Sequence, residues 1–499
     1  MPRAHPATAS ARKRPAYVSP SSATLAVGVN GGTPVSYGLT PATPGCVTQA
    51  TVLACTFSIV VPAGLDTLAL SLADAAGNVL SRNVVSATIV AGASTPVNVT
   101  LAGVPAAVAI VPGTNAYSDT SVAPYEIPGL FPIPVEVEAL DADGNVIVGP
   151  GAPTLQSVTV SNTSAATIAP AVGTDPFAYV LSPTGAGGGK SVIITALVQG
   201  VTLADGTTSS PVSGTTTYSF TPAIAVGSGP FITMYSVASA QPFLSFQACP
   251  GECGAVTVDD LTADARGRIY TLIVQFEGAS VTSTVFESTT GATKPALGLG
   301  STNGVHSVGG ITLDSHANLY VANGNTGSFF GGGKHLPPAI TNYAFGATSP
   351  AYTIANTFEA PGGIAVDKNG DVFESDPNDT LTIAEYPPNS QTQSQTLSDP
   401  SLAGPTRMVA DAAGGLYVID AVNNDIAYFA PGQTALTTTL TDPSFGAGIG
   451  ALMIDPQGNL WVAISNGSGE IERLAATSLP NAVVITETLP GGGYMGYIP

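Results

Sequence analysis

Five aspartates recur in the C-terminal half of the chain: Asp264, Asp314, Asp367, Asp411 and Asp455. Three residues after each comes a turn position, Gly267, Ala317, Gly370, Gly414 or Gly458, and six residues after each an aromatic, Tyr270, Tyr320, Phe373, Tyr417 or Trp461. A carboxylate can act as a general acid or base, or bind a hard cation. An aspartate just before a glycine turn has a third use, accepting backbone N–H bonds that fix a hairpin. Five-fold recurrence favours this structural role. The four histidines are His5, His306, His316 and His335. His306, just ahead of Gly309-Gly310, could form an acid–base pair with Glu374, although no local signature joins them. No Ser-His-Asp arrangement, P-loop or dinucleotide fingerprint is present. Oxygen-rich stretches at Asp376-Pro377-Asn378-Asp379, Asn423-Asn424-Asp425 and Asn466-Gly467-Ser468 suit calcium, and equally suit ordinary turns.

These residues need a repeating scaffold to position them. Successive aspartates lie 50, 53, 44 and 44 residues apart, a period typical of propellers and solenoids. Each unit carries one strand before the turn and one after it, as in Ile364 and Val366 followed by Val372. Ala317 stands where the other turns have glycine, so that turn must differ or carry strain. A third strand is marked by Ile340/Tyr343, Ile383/Tyr386 and Ile426/Phe429, and more weakly by Ser283/Phe286 and Ile471/Leu474. Gln395 to Leu397 and Ala435 to Leu440 are expected as fourth strands. Four short antiparallel strands per unit describe a propeller blade. The aromatics are expected between blades, where each buries a large apolar area. Ile232/Tyr235 in Phe231 to Phe246 supply the outer half of a sixth blade, which Gly491 to Ile498 completes and closes, leaving no open edge.

The run Gly363 to Phe373, G-I-A-V-D-K-N-G-D-V-F, resembles the NHL-repeat family of β-propellers, and Gly310 to Tyr320 follows it closely. The resemblance covers residues 231 to 499. Asn423-Asn424-Asp425-Ile426 stands where a typical repeat has Asn-Arg-Ile, so a ligand contact through that Arg is not carried over. Propellers similar to this family include metal-dependent lactonases and a streptogramin-type lyase, and the resemblance implies an alternative activity of that kind at the channel mouth. Loops between second and third strands differ from unit to unit. The longest, Asn323 to Pro338, holds Phe329, Phe330, Lys334 and His335. Together with Asp376, Asn378, Asn424 and Asp425 these are the expected ligand-binding residues, on loops over a fixed scaffold.

Composition limits the rest. Charged residues make up 9% of 499, with a net charge of −20. Arg3, Arg12, Lys13 and Arg14 crowd into the start, and the body beyond has nine bases against 33 acids. Without clustered Lys or Arg, nucleic acid and anionic membrane surfaces are excluded as partners. No run of about 18 apolar residues provides a transmembrane helix, and the first twenty residues lack the apolar core of a signal peptide. Cys46/Cys55 and Cys249/Cys253 are each close enough in sequence for a local disulfide, fitting an oxidising compartment.

The expected fold class is all-β. It comprises a disordered basic tail (1–21), immunoglobulin-like β-sandwiches at 22–104 and 105–222, and a six-bladed NHL-type propeller at 223–499. In the first sandwich Ala23 to Val29, Thr56 to Val61, Thr67 to Ala73, Val84 to Val90 and Pro96 to Leu101 are predicted strands. In the second they are Val135 to Leu140, Ser157 to Val160, Ser191 to Leu197 and Thr215 to Phe220. Asp141 to Asn145 resembles the start of a calcium loop, but lacks the later Glu and reads better as a hairpin turn. The expected function is non-catalytic binding of a protein or glycan by an extracellular or cell-envelope monomer, with no cofactor beyond a potential calcium ion.

Overall fold

The computed structural model describes residues 18–498 apart from 50–51, 115, 150, 186, 202–207, 250–255, 278–279, 289–294, 326–335, 356, 466–468 and 491–492. Strands dominate, and the helical segments among the described residues are the short 3-10 turns Ser301–Asn303 and Pro443–Ala447. No helix there is long and apolar enough to cross a membrane.

The first region forms one five-stranded sheet in the order Val35–Gly38, Thr24–Val29, Gly64–Ala73, Val79–Ile89, Ala102–Gly103. A separate hairpin pairs Cys46–Gln49 with Val52–Cys55, and the Cys46–Cys55 disulfide joins opposed residues with Cα atoms 3.9 Å apart. Two predicted strands are corrected. Thr56 to Val61 and Pro96 to Leu101 alternate in burial but join no sheet. Alternation records which side chains face inward; a ladder also needs a partner backbone about 4.8 Å away, which local sequence does not specify. These segments attach by other contacts: the Thr56 N–H donates to Gly45 O at 2.8 Å, Phe57 packs on Tyr37 at 4.6 Å, and Asn83 Nδ2 donates to Thr100 O at 2.6 Å.

Residues 107 to 221 make two four-stranded sheets, which include all four predicted strands. Their inner faces, with Ile110, Val135, Val137 and Leu181 on one and Val192, Ile194, Tyr218 and Phe220 on the other, share one core. That core does not stop at the sandwich. It continues through Ala223, Ala225, Ile232, Met234 and Phe246 into Val258, Leu261 and Ile273, so sandwich and repeats are welded by apolar burial.

Six four-stranded antiparallel sheets occupy 223 to 498. Five follow the chain directly, and we number them as repeats one to five: Val256 to Leu299, Val308 to Ala355, Gly363 to Leu397, Pro405 to Leu440 and Ile449 to Pro490. The closing sheet runs Pro242–Gln247, Phe231–Ser236, Ala223–Ser228, Tyr494–Ile498, combining both ends of the region. Innermost strands touch in a complete circuit, from the closing sheet through repeats one to five and back. The arrangement is that of a β-propeller-like fold. Its seams are apolar, and the five recurring aromatics fill them in turn: Tyr270 between repeats one and two, Tyr320 between two and three, Phe373 between three and four, Tyr417 between four and five, and Trp461 against the closing sheet. At Gly363 the innermost strands of repeats three and four approach so closely that a side chain is excluded. A Cβ on Gly363 would lie 2.9 Å from Arg407 Cα.

Candidate functional site

The recurring aspartates fold their own turns. In every repeat Oδ1 accepts the N–H groups two and four residues on: Arg266 and Arg268 on Asp264, His316 and Asn318 on Asp314, Asn369 and Asp371 on Asp367, Ala413 and Gly415 on Asp411, Gln457 and Asn459 on Asp455, all at 2.8–3.0 Å. Asp141 in the sandwich does the same to Asp143 and Asn145, which makes its loop a hairpin turn. With both orphan N–H groups satisfied, these carboxylates are structural. Ala317 holds a left-handed φ of 64°, so the second turn keeps its shape despite lacking glycine.

At the opposite end of the sheets the second-to-third-strand turns have anchors of their own. Asp376, 4% exposed, accepts N–H bonds from Asn378, Asp379 and Thr380 and the Thr380 hydroxyl. Burial works against its ionisation, but these donors outweigh burial and hold it below the usual carboxylate range. Asp420 occupies the same position in repeat four, taking N–H bonds from Ala403, Val422 and Asn423. Asn323 is the counterpart in repeat two and accepts the His306 N–H at 2.8 Å. The sequence reading passed over Asp420 and saw Asn323 only as the start of a loop, although each lies nine residues beyond a repeat aspartate. Of the expected ligand-binding residues, Asn378 and Asn424 sit on these anchored turns, Asn424 with a φ of 55°. Asp425 begins the next strand, its carboxyl pushed up to about 6 by burial and by Asp420. Val422, 66% exposed, stands between Asp420 and these residues. Phe329, Phe330, Lys334 and His335 lie outside the described residues, as does the Asn466-Gly467-Ser468 loop. Cys249 is disulfide-bonded, while Cys253 also lies outside.

The two members of the expected acid–base pair have separate partners. His306 Nδ1 is 3.1 Å from the Gly324 carbonyl, and burial lowers its pKa. Glu374 is fully buried on the second strand of repeat three. Its Oε2 accepts the Phe358 N–H at 3.2 Å, and burial pushes the carboxyl up to about 8. Among the described residues no group of three or more His, Cys, Asp or Glu comes together in a way that could hold a metal ion.

A second buried carboxylate lies at the axis, where a cavity of about 80 Å³ is lined by the innermost strands of all six sheets. Asp260 of repeat one meets Arg407 of repeat four, Oδ2 to Nη1 at 2.9 Å. Two sheets separate these repeats in either direction around the circuit, so the ion pair spans the axis. Arg407 Nη2 also donates to Asp259 O at 2.5 Å, and its guanidinium lies 4.2 Å from the ring centre of Tyr494 in the closing sheet. Burial raises the Asp260 pKa, while Arg407 and the N–H groups of Ile311 and Leu261 oppose it. The cross-brace fills the middle of the channel with protein charge.

No family model matches the chain, and no curated protein does. Among solved structures, a protein of unknown function from Bacteroides caccae is similar at 11% identity and a TM-score of 0.42, covering 56% of this chain and 98% of that one. A chain of a nidogen/laminin complex is similar at 12% identity and a TM-score of 0.43, with the same coverage. A functionally unknown protein from Desulfotomaculum acetoxidans reaches 12% identity and 0.37, over 54% of this chain and 80% of its own.

Proposed function

We propose that this chain is an exported or cell-surface binding protein that recognises a protein or glycan without catalysis. In this reading two immunoglobulin-like modules precede a six-bladed NHL-type propeller, which acts as a monomer through the end carrying its second-to-third-strand turns. The observation that supports it best is the equivalence of Asp376 and Asp420 in repeats three and four. Equivalent buried anchors hold loops whose outer residues differ, with Asn378 in one and Val422 and Asn424 in the other. Anchored loops with varied tips suit recognition, because little ordering cost is left for binding. Asn amides and an exposed valine offer both polar and apolar contacts to a sugar or peptide. A lyase or lactonase would need an acid–base pair at the mouth, whereas His306 and Glu374 have separate partners.

The test is a glycan array probed with the labelled full chain, run beside an Asn378→Ala/Val422→Ser variant. Retention of the parent on a defined set of glycans is expected, with at least about tenfold weaker retention of the variant and an unchanged melting temperature. Equal retention by both would move recognition away from this face. Turnover of a lactone panel, lost in Glu374→Gln, would favour the enzyme.

A further inference from the structure

Glu374 serves neither the turns nor the axial brace. It is completely excluded from solvent, and its Oε1 has no hydrogen-bond partner. The Thr357 hydroxyl, in the link between repeats two and three, lies within reach of the carboxyl, where it and the Phe358 N–H oppose the upward push of burial, and its oxygen has no other partner among the described residues. Around them are the apolar residues of one seam, including Ile364, Val372, Ala384 and Tyr386. The strands of repeat two from Leu319 onward, the link and the strands of repeat three through Tyr386 contribute no Lys or Arg among the described residues except Lys368, which sits in the turn at the far end of the hairpin. The other titratable groups nearby are Asp376, whose charge disfavours a second anion, Tyr386, pushed up to about 12, and the exposed Glu359. His306, held on the Gly324 carbonyl, is also half-buried and kept uncharged by burial. Among the described residues this carboxylate has no counter-ion, and an isolated buried charge is strongly unfavourable. A proton on Oε1 removes the charge and gives the adjacent Thr357 oxygen a donor, satisfying both orphaned atoms at once.

We propose that Glu374 is a proton-held latch: its neutral carboxyl donates Oε1–H to the Thr357 hydroxyl while Oε2 holds the Phe358 N–H, and loss of that proton to solvent releases the link between repeats two and three. The proposal is independent of ligand binding at the turn face. The link precedes the innermost strand of repeat three, so its release loosens the attachment of that strand.

The test is infrared spectroscopy of the full chain across pH, paired with hydrogen exchange at Phe358. A protonated-carboxyl band is expected near pH 6.5, absent in Glu374→Gln and titrating away toward about pH 9. Exchange at Phe358, corrected for its intrinsic pH dependence, should quicken at least about tenfold over that range in the parent and stay level in the variant. No protonated band at pH 6.5, or a band that survives in Glu374→Gln, overturns the latch. So does equal quickening of exchange in both proteins. If Glu374→Gln does not fold, the parent's band and its titration decide the matter alone. Calcium or sodium that raises the parent's melting temperature near pH 9, with no loss of order on deprotonation, would make the carboxylate a cation ligand and also overturn the latch.

Discussion

Asp260 and Glu374 sit in the same ring of sheets, and both are removed from water, yet their surroundings differ. Asp260 lies where six inner strands converge, and Arg407 reaches it across the axis. Glu374 lies in a seam between two sheets and meets apolar side chains, the Phe358 N–H and the Thr357 hydroxyl. Convergence explains the difference. At the axis any strand can supply a partner from the opposite wall, whereas a seam offers only the two faces that close it, and those are needed for apolar burial. Taking a charge out of water is tolerated with a partner in place. Without one the group keeps its proton. One fold therefore buries two carboxyls, one with a counter-ion from the opposite wall and one with none among the described residues.

The comparison breaks most severely at Arg407. Arg407→Met leaves Asp260 buried without its cation and should cost about 3–5 kcal/mol in urea unfolding at neutral pH. Pairing it with Asp260→Asn should recover most of that loss. A double variant as unstable as the two single losses combined would show that the ion pair is not the source.

Glu374 governs a smaller, pH-dependent effect. Burial pushes its folded pKa up to about 8, above the ordinary glutamate value of 4.5, so the folded state binds more protons than the unfolded state between these values. The stabilisation is thus fully present below about pH 4.5 and is lost as pH rises through 8, with a steepest slope near 1.4 kcal/mol per pH unit. Glu374→Gln should remove that contribution from the unfolding profile. A profile that keeps the full slope in the variant assigns it to another group.

Ala317→Gly sharpens the contrast from outside both sites. Relieving a left-handed φ of 64° on a residue with a Cβ should add about 1 kcal/mol of stability at every pH. A gain that varied with pH would mean that the turn is coupled to one of the carboxyls.

The turns were legible in the sequence because their chemistry is local. An aspartate bonding the second and fourth N–H groups after it needs only a short loop and a residue with positive φ, as at Asp455 and Gly458. The aromatic spacing was legible for the same reason, since every unit repeats one packing problem and Tyr270 through Trp461 solve it alike. Cys46 and Cys55 were close enough in sequence to suggest a local disulfide, but the hairpin that opposes them appears only in the structure. Thr56 to Val61 shows where this stops, because its alternation set its inward side but no neighbouring strand. Asp260 and Arg407 carry no spacing signal, because 147 residues separate them and only closure of the ring brings them together. Glu374 stood out in the sequence only as a partner for His306, and its burial in an apolar seam follows from what the adjacent sheet places against it. Local hydrogen bonding and periodic burial are written in short stretches of chain, while the dielectric and the counter-ion around a buried charge are set by distant residues that meet only in the folded protein.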